Sequence, residues 1–276
     1  MEQTRIALVQ MESIVGETHL NLEKMKGFIQ EAAAGKADLI CFPELSVHGY
    51  SRDSAHLPAE PAHGESSRLL SRLAREAGLV VLAGLAEKSA GARPYITQLV
   101  LHPDGRVQKY RKTHLGGSEQ PYYTAGDELP LFQGEKVNFA VEICWDLHFP
   151  EVTAILSLKG CELVFAPHAS PTIVGDRRKI WLKYLAARAY DNTVFLAACN
   201  LTGSNGAGHT FCGGAMVLDP KGNIVAEDFS GGDKLLVADL DPGVINTIRN
   251  KHSRSMRHIY YLGARRPELY GDLTKE

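Results

Sequence analysis

A single α/β domain is predicted from three observations. Strand-like apolar runs alternate with helix-period runs along the chain, two hairpins interrupt the alternation, and no linker or change of composition divides the 276 residues. Many of the strands are apolar at every position, the pattern of strands covered on both faces. Two sheets packed face to face, with helices outside, suit this pattern better than one wound parallel sheet. Pattern alone leaves both open.

The elements follow in order. Arg5–Gln10 reads as an apolar strand, and Glu17–Ala34 as a helix with Leu22, Met25, Phe28, Ile29 and Ala32 on one stripe and Gly35 as its stop. Strand Asp38–Phe42 runs into Pro43 and Glu44, and a His-, Pro- and Ser-rich loop extends from Ser46 to Gly64. Helix Glu65–Ala77 ends at Gly78, and strand Leu79–Ala86 follows. Tyr95–Leu101 and Arg106–Tyr110 form a hairpin around His102-Pro103-Asp104-Gly105. A long loop, Thr113–Leu129, leads to a strand with Val137, Phe139, Val141 and Ile143 on its apolar positions, then Cys144, then a helix opened by Pro150. Strand Glu162–Ala166, helix Asp176–Tyr190 and strand Thr193–Ala198 come next. A second hairpin, Gly213–Glu227, turns at Asp219-Pro220-Lys221-Gly222; strand Lys234–Leu240 and a short helix from Pro242 complete the fold. The aromatic, basic tail at 252–276 has no clear period.

Composition narrows the function. A chain that is 44% hydrophobic supports an ample core, and no stretch approaches a membrane span. The net charge of -2, without a basic run, argues against nucleic acid or an anionic membrane as partner. The five cysteines are odd in number and form no C-x-x-C pair. With no secretory signal pattern at the start, a reducing, cytoplasmic setting is expected. The eleven histidines include no H-E-x-x-H, so no metal centre is expected. Gly203–Thr210 imitates a phosphate-binding loop, but His209 stands where that motif needs lysine.

Polar residues that close apolar strands are the natural candidates for chemistry in an α/β protein. Glu44, Lys112 and Cys144 each do so. Cys144 sits in a strand-to-helix turn, where backbone N–H groups of the following helix favour thiolate over thiol. Singly, each has a plain structural reading: a cap, a solvated basic cluster, a buried core thiol. Together they make a nucleophile, a carboxylate base and a cation for a developing oxyanion. That set suits attack on an amide, a ureido group or a nitrile. A Cys–His pair, with His148 or His168 as partner, is the other catalytic arrangement.

The chain resembles the nitrilase superfamily of carbon–nitrogen hydrolases. The resemblance rests on Phe42-Pro43-Glu44 with Gly49-Tyr50 following, on Tyr110-Arg111-Lys112-x-His114-Leu115, and on Cys144-Trp145-Asp146-x-x-Phe149-Pro150-Glu151. It implies a four-layer α-β-β-α sandwich over residues 1–276 and a Glu44–Lys112–Cys144 triad. It also implies that Glu119 orients the lysine and helps place substrate, that the Trp145 backbone N–H shares the oxyanion, and that no cofactor is needed. His168, at a strand end, is expected to face the pocket. The implied activity is hydrolysis of a small amide or N-carbamoyl amine through a cysteine thioester. Asp146, where nitrile-cleaving members tend to carry glutamate, disfavours a nitrilase. Leu147 and His148, where arginines would pair a carboxylate, disfavour N-carbamoyl D-amino acids. Acyl transfer to an amine, or a non-catalytic scaffold of the same fold, are the remaining readings. The tail aromatics Tyr260, Tyr261 and Tyr270 suit either core or a subunit seam, and the resemblance implies the seam, in a homodimer or larger homo-oligomer.

Overall fold

The computed structural model describes residues 1–52, 59–249 and 258–275. Two six-stranded sheets face each other. The first is built from β1 (Thr4–Gln10), α1 (Thr18–Ala34), β2 (Leu39–Cys41), α2 (Glu65–Ala77), β3 (Val80–Glu87), β4 (Tyr95–Leu101) and β5 (Val107–Arg111). The second follows from β6 (Phe132–Gln133), β7 (Asn138–Val141), α3 (Pro150–Leu158), β8 (Leu163–His168), α4 (Arg177–Asn192) and β9 (Phe195–Asn200). After a ribbon of β10 (Thr202–Ser204) and β11 (Thr210–Cys212), β12 (Ala215–Leu218) and β13 (Ile224–Asp228) close that sheet. Finally β14 (Lys234–Leu240) returns to pair with β1, and α5 (Pro242–Arg249) follows.

Both halves share one plan. Three parallel strands joined by helices, β1-β2-β3 and β7-β8-β9, are each extended by an antiparallel pair, β4-β5 and β12-β13. Strand pleating explains the all-apolar runs. Ile6, Leu8, Phe139, Val141 and Phe165 point into the core between the sheets. Their neighbours Ala7 and Val9 meet α1 and α2, while Ala140 and Val164 pack with Val152 and Leu156 of α3. Trp181 and Leu185 of α4 cover Leu196 and Met216. The four-layer α-β-β-α order is therefore the one observed.

Predicted bounds hold within one or two residues for most elements. Strand β6 and the β10–β11 ribbon, two or three residues long, are too short for a period to register. The segment after Glu44 is not a surface loop: Leu45, Ser46, Val47, His48 and Tyr50 are all buried. The rest of the predicted loop, 53–58, lies outside the described residues, as does 252–257 of the tail. From 258 onward the tail forms short 3-10 turns over α3 and α4, where Tyr260 meets Ser157 and Tyr261 meets Tyr190. No helix among the described residues is long and apolar enough to cross a membrane.

Candidate active site

The site lies where β2, β5 and β7 end. After β2 the chain turns sharply, with Leu45 at φ +54°. The turn lies flat on β3 because Gly84 has no side chain beneath it: a Cβ there would sit 2.4 Å from Leu45 N. Glu44 is thereby pressed inward, and 1% of it is exposed. Its Oε1 accepts from Lys112 Nζ at 2.7 Å and its Oε2 from the Ala169 backbone N–H at 2.9 Å.

Lys112 follows β5 directly and is fully buried. Its ammonium also donates to Glu119 Oε1 at 2.9 Å. Glu119 is no surface charge. Its Oε1 accepts from the Tyr50 hydroxyl at 3.0 Å, and its Oε2 from the Gly116 N–H at 2.9 Å. Burial works against the lysine cation, but the two carboxylates outweigh it, and its pKa is raised well above the ordinary value.

Cys144 opens a 3-10 turn, Cys144–His148, that bridges β7 to α3. Its φ of +48° is a conformation that L-residues rarely adopt, which marks a held elbow. The Sγ is half-buried and lies 3.5 Å from Ser170 Oγ. Ser170 is fixed in turn by Asn200, whose Oδ1 accepts from its N–H at 2.8 Å.

The electrostatics amend one expectation. Burial, and then the Glu44 charge, push the Cys144 thiol up to about 12, although Lys112 opposes them. Burial also raises Glu44 to about 7, against the pull of Lys112. The turn geometry does not make a resting thiolate here, because desolvation outweighs the field of the following N–H groups. The arrangement instead pairs a neutral thiol with a carboxylate that is a competent base near neutrality.

Trp145 is 44% exposed at the rim, where its ring lies against Gly116 and 4.9 Å from His148. His168 turns the other way. Its ring is buried 4.8 Å from Trp181, its Nδ1 donates to Ala166 O at 2.7 Å, and its Nε2 faces the Tyr184 hydroxyl at 3.3 Å. The main chain just beyond it, at Ala169 and Ser170, is what meets Glu44 and Cys144. His148 is exposed and lies tilted against Tyr184, with ring centroids 4.7 Å apart. Tyr50, Ala169, Ser170 and Asn200 were not singled out from sequence; only Tyr50 stood in a quoted motif. Among the described residues, no three His, Cys, Asp or Glu side chains are grouped to hold a metal ion.

A thiol, a carboxylate and a buried cation meet at three strand ends, the set of groups that acyl transfer requires. The sequence profile of the carbon–nitrogen hydrolase family matches residues 5–250. This chain belongs to that family. The hydrolase is 31% identical to an (R)-stereoselective amidase of Pseudomonas sp. over 98% of this chain and 94% of the relative. It is also 31% identical to the 2-oxoglutaramate amidase of Bacillus subtilis, over 80% of this chain and 85% of that one. Among solved structures, a cysteine-to-alanine mutant of the amidase from Nesterenkonia sp. AN1, in complex with butyramide, superposes with a TM-score of 0.83 at 27% identity. The match covers 98% of this chain and 97% of that one. A further mutant of that amidase, with the acetamide moiety of fluoroacetamide added covalently at its active-site cysteine, superposes at 0.84 with 26% identity, covering 99% and 97% of the two chains.

Proposed function

We propose that this hydrolase cleaves the C–N bond of a small amide through a thioester on Cys144. The observation that carries the reading is the Glu44 carboxylate, held on Lys112 and on the Ala169 N–H, in one site with a half-buried Cys144. As Sγ bonds to the amide carbon, its proton passes to Glu44. Lys112 and the Trp145 N–H take up the charge that develops on oxygen. Glu44 then returns the proton to nitrogen, the C–N bond breaks, and ammonia leaves. Water, deprotonated by Glu44, adds to the thioester and frees the acid and the thiol. Glu119 holds the lysine in place. The amidases among the relatives favour an amide over a nitrile or a carbamoyl substrate.

The test is ammonia release from acetamide, butyramide, an N-carbamoyl amine and butyronitrile, with Cys144→Ala beside the wild type. Release from the amides that vanishes in the variant is expected, together with an acyl adduct on Cys144 by mass. Release that survives in Cys144→Ala would remove the cysteine mechanism. The tail is assigned to subunit contact because it carries three exposed apolar side chains, Leu269, Tyr270 and Leu273, and α3, over which the tail lies, exposes Ile155 and Leu158 as well. A strictly monomeric sedimentation profile would refute that assignment.

A further inference from the structure

Arg177 opens α4 and is 5% exposed. Charged side chains are rarely so buried unless paired, because an uncompensated cation loses its hydration. Yet among the described residues Arg177 has no carboxylate partner, and its Nε and Nη2 are buried without a hydrogen bond. Its sequence neighbours behave differently. Arg178 forks onto Glu227 at 2.8 and 3.0 Å, and Lys179 reaches Asp176 at 3.2 Å, both on the surface.

The face of α4 that carries Arg177 is the face laid against the Cys144 elbow. One turn on is Trp181, whose ring His168 meets at a tilt; then Tyr184, met likewise by His148; then Arg188, whose Nε donates to Leu147 O at 3.1 Å. The Arg177 guanidinium lies beside the Tyr184 hydroxyl, and its charge acts on both His148 and His168. Tyr184 in turn is close enough to feel Cys144. The chain between Ser170, which touches Sγ, and Arg177 is only the segment 171–176. His168 adds no competing charge. Its Nδ1–H is committed to Ala166 O, and burial and then Arg177 hold its pKa well below the ordinary value.

We infer that Arg177 is the receptor for an anionic group on the substrate: the natural amide carries a carboxylate, which meets the two unpartnered N–H groups while its amide carbon sits on Cys144. This rests on the amidase reading above and names its substrate class. A carboxylate matches the planar guanidinium and supplies the counter-charge that the protein omits. It also revises the argument from Leu147 and His148: an arginine need not come from the elbow, because α4 carries one close enough for its charge to act on His148.

The probe is a pair of near-isosteres, succinamate and butyramide. The wild type is expected to favour succinamate in kcat/KM by about 10- to 100-fold, the worth of a charge-assisted hydrogen-bonded pair. Arg177→Gln should bring that ratio close to one, chiefly by raising KM for succinamate, and Arg177→Lys should recover part of it. Calorimetry of succinamate with Cys144→Ala, and with the same protein carrying Arg177→Gln, reads binding without turnover; the second should bind at least about tenfold more weakly. Neutral iodoacetamide labelling of Cys144 checks that the Arg177 variants keep a folded site. Arg52→Gln runs in parallel, since among the described residues Arg52 Nε has no hydrogen-bond partner either; loss of the preference there, and not in Arg177→Gln, overturns the assignment. A wild type that cleaves butyramide and succinamate equally well overturns it too and leaves the amidase reading standing. A wild type that releases ammonia from neither sinks both.

Discussion

The Tyr110 hydroxyl donates to Asp146 Oδ2 at 2.8 Å. That bond ties the strand leading to Lys112 to the turn that carries Cys144. The same carboxylate also accepts from Ile143 N at 2.8 Å, and its Oδ1 accepts from His114 N at 2.8 Å and Thr113 Oγ1 at 3.0 Å. Asp146 is fully buried. It is the clamp that joins the segment carrying Lys112 to the turn carrying Cys144.

Removing one strand of the clamp is a mild change and removing its acceptors is not. Tyr110→Phe should cost about 1.5 kcal/mol of stability, the low end for one hydrogen bond to a charged group. Asp146→Asn turns an acceptor into a donor that faces N–H groups, and should cost about 3 kcal/mol. Urea melts measure both. Turnover of butyramide in folded Asp146→Asn should fall by far more than substrate binding, since the elbow and not the pocket wall is released. An Asp146→Asn protein with wild-type kcat would show that the clamp has no catalytic consequence.

Glu44 must be ionised to take a proton, and its pKa is held at about 7 by burial opposed by Lys112. Below that pH, kcat/KM should drop about tenfold per unit. The lysine, raised well above its ordinary value, stays charged across the range and adds no alkaline loss. Because burial holds the thiol near 12, alkylation of Cys144 should follow the same acid limb, through assisted proton transfer. Labelling that climbs only above pH 9, or an acid limb that survives in Glu44→Gln, would contradict this.

Gly84 is a steric requirement for the base. A methyl group there would meet Leu45 N at 2.4 Å and Pro43 O at 2.6 Å, both backbone atoms of the turn that holds Glu44. Gly84→Ala should destabilise by about 1–3 kcal/mol and lower kcat sharply. A thermal melt with a matched assay on butyramide decides it, and an unchanged kcat would show that the turn tolerates lifting.

Glu142 sits on the helix-facing side of β7 next to the elbow, fully buried. Thr153 donates to its Oε2 at 3.1 Å, and its Oε1 has no hydrogen-bond partner among the described residues. Burial raises its pKa to about 8 from 4.5. The folded chain thus keeps a proton that the unfolded chain gives up, and stability falls as pH climbs from 4.5 through 8. Glu142→Gln should flatten that slope and stabilise the protein at pH 8 by about 1–3 kcal/mol. Parallel slopes for the two proteins would exclude Glu142 as their source.

The order and faces of the strands were legible because pleating writes burial into the sequence with a period of two, and a strand apolar at both phases must be covered twice. The strand-end positions of Glu44 and Cys144 were legible because each closes a largely apolar strand, and that of Lys112 because it ends the second arm of a hairpin. What carried no local signal was everything that depends on two distant segments meeting. Asn205 Nδ2 holds Tyr50 O at 2.7 Å across 155 positions, and Ala169 N reaches Glu44 across 125. Sequence spacing contains no information on such contacts. The side of β8 on which His168 falls also depended on register, since one residue's shift exchanges pocket for helix layer. The balance between thiol and thiolate at Cys144 was likewise decided by the fold. Local turn dipoles pull one way, and only the depth of burial, a property of the packed sheets, determines that desolvation prevails.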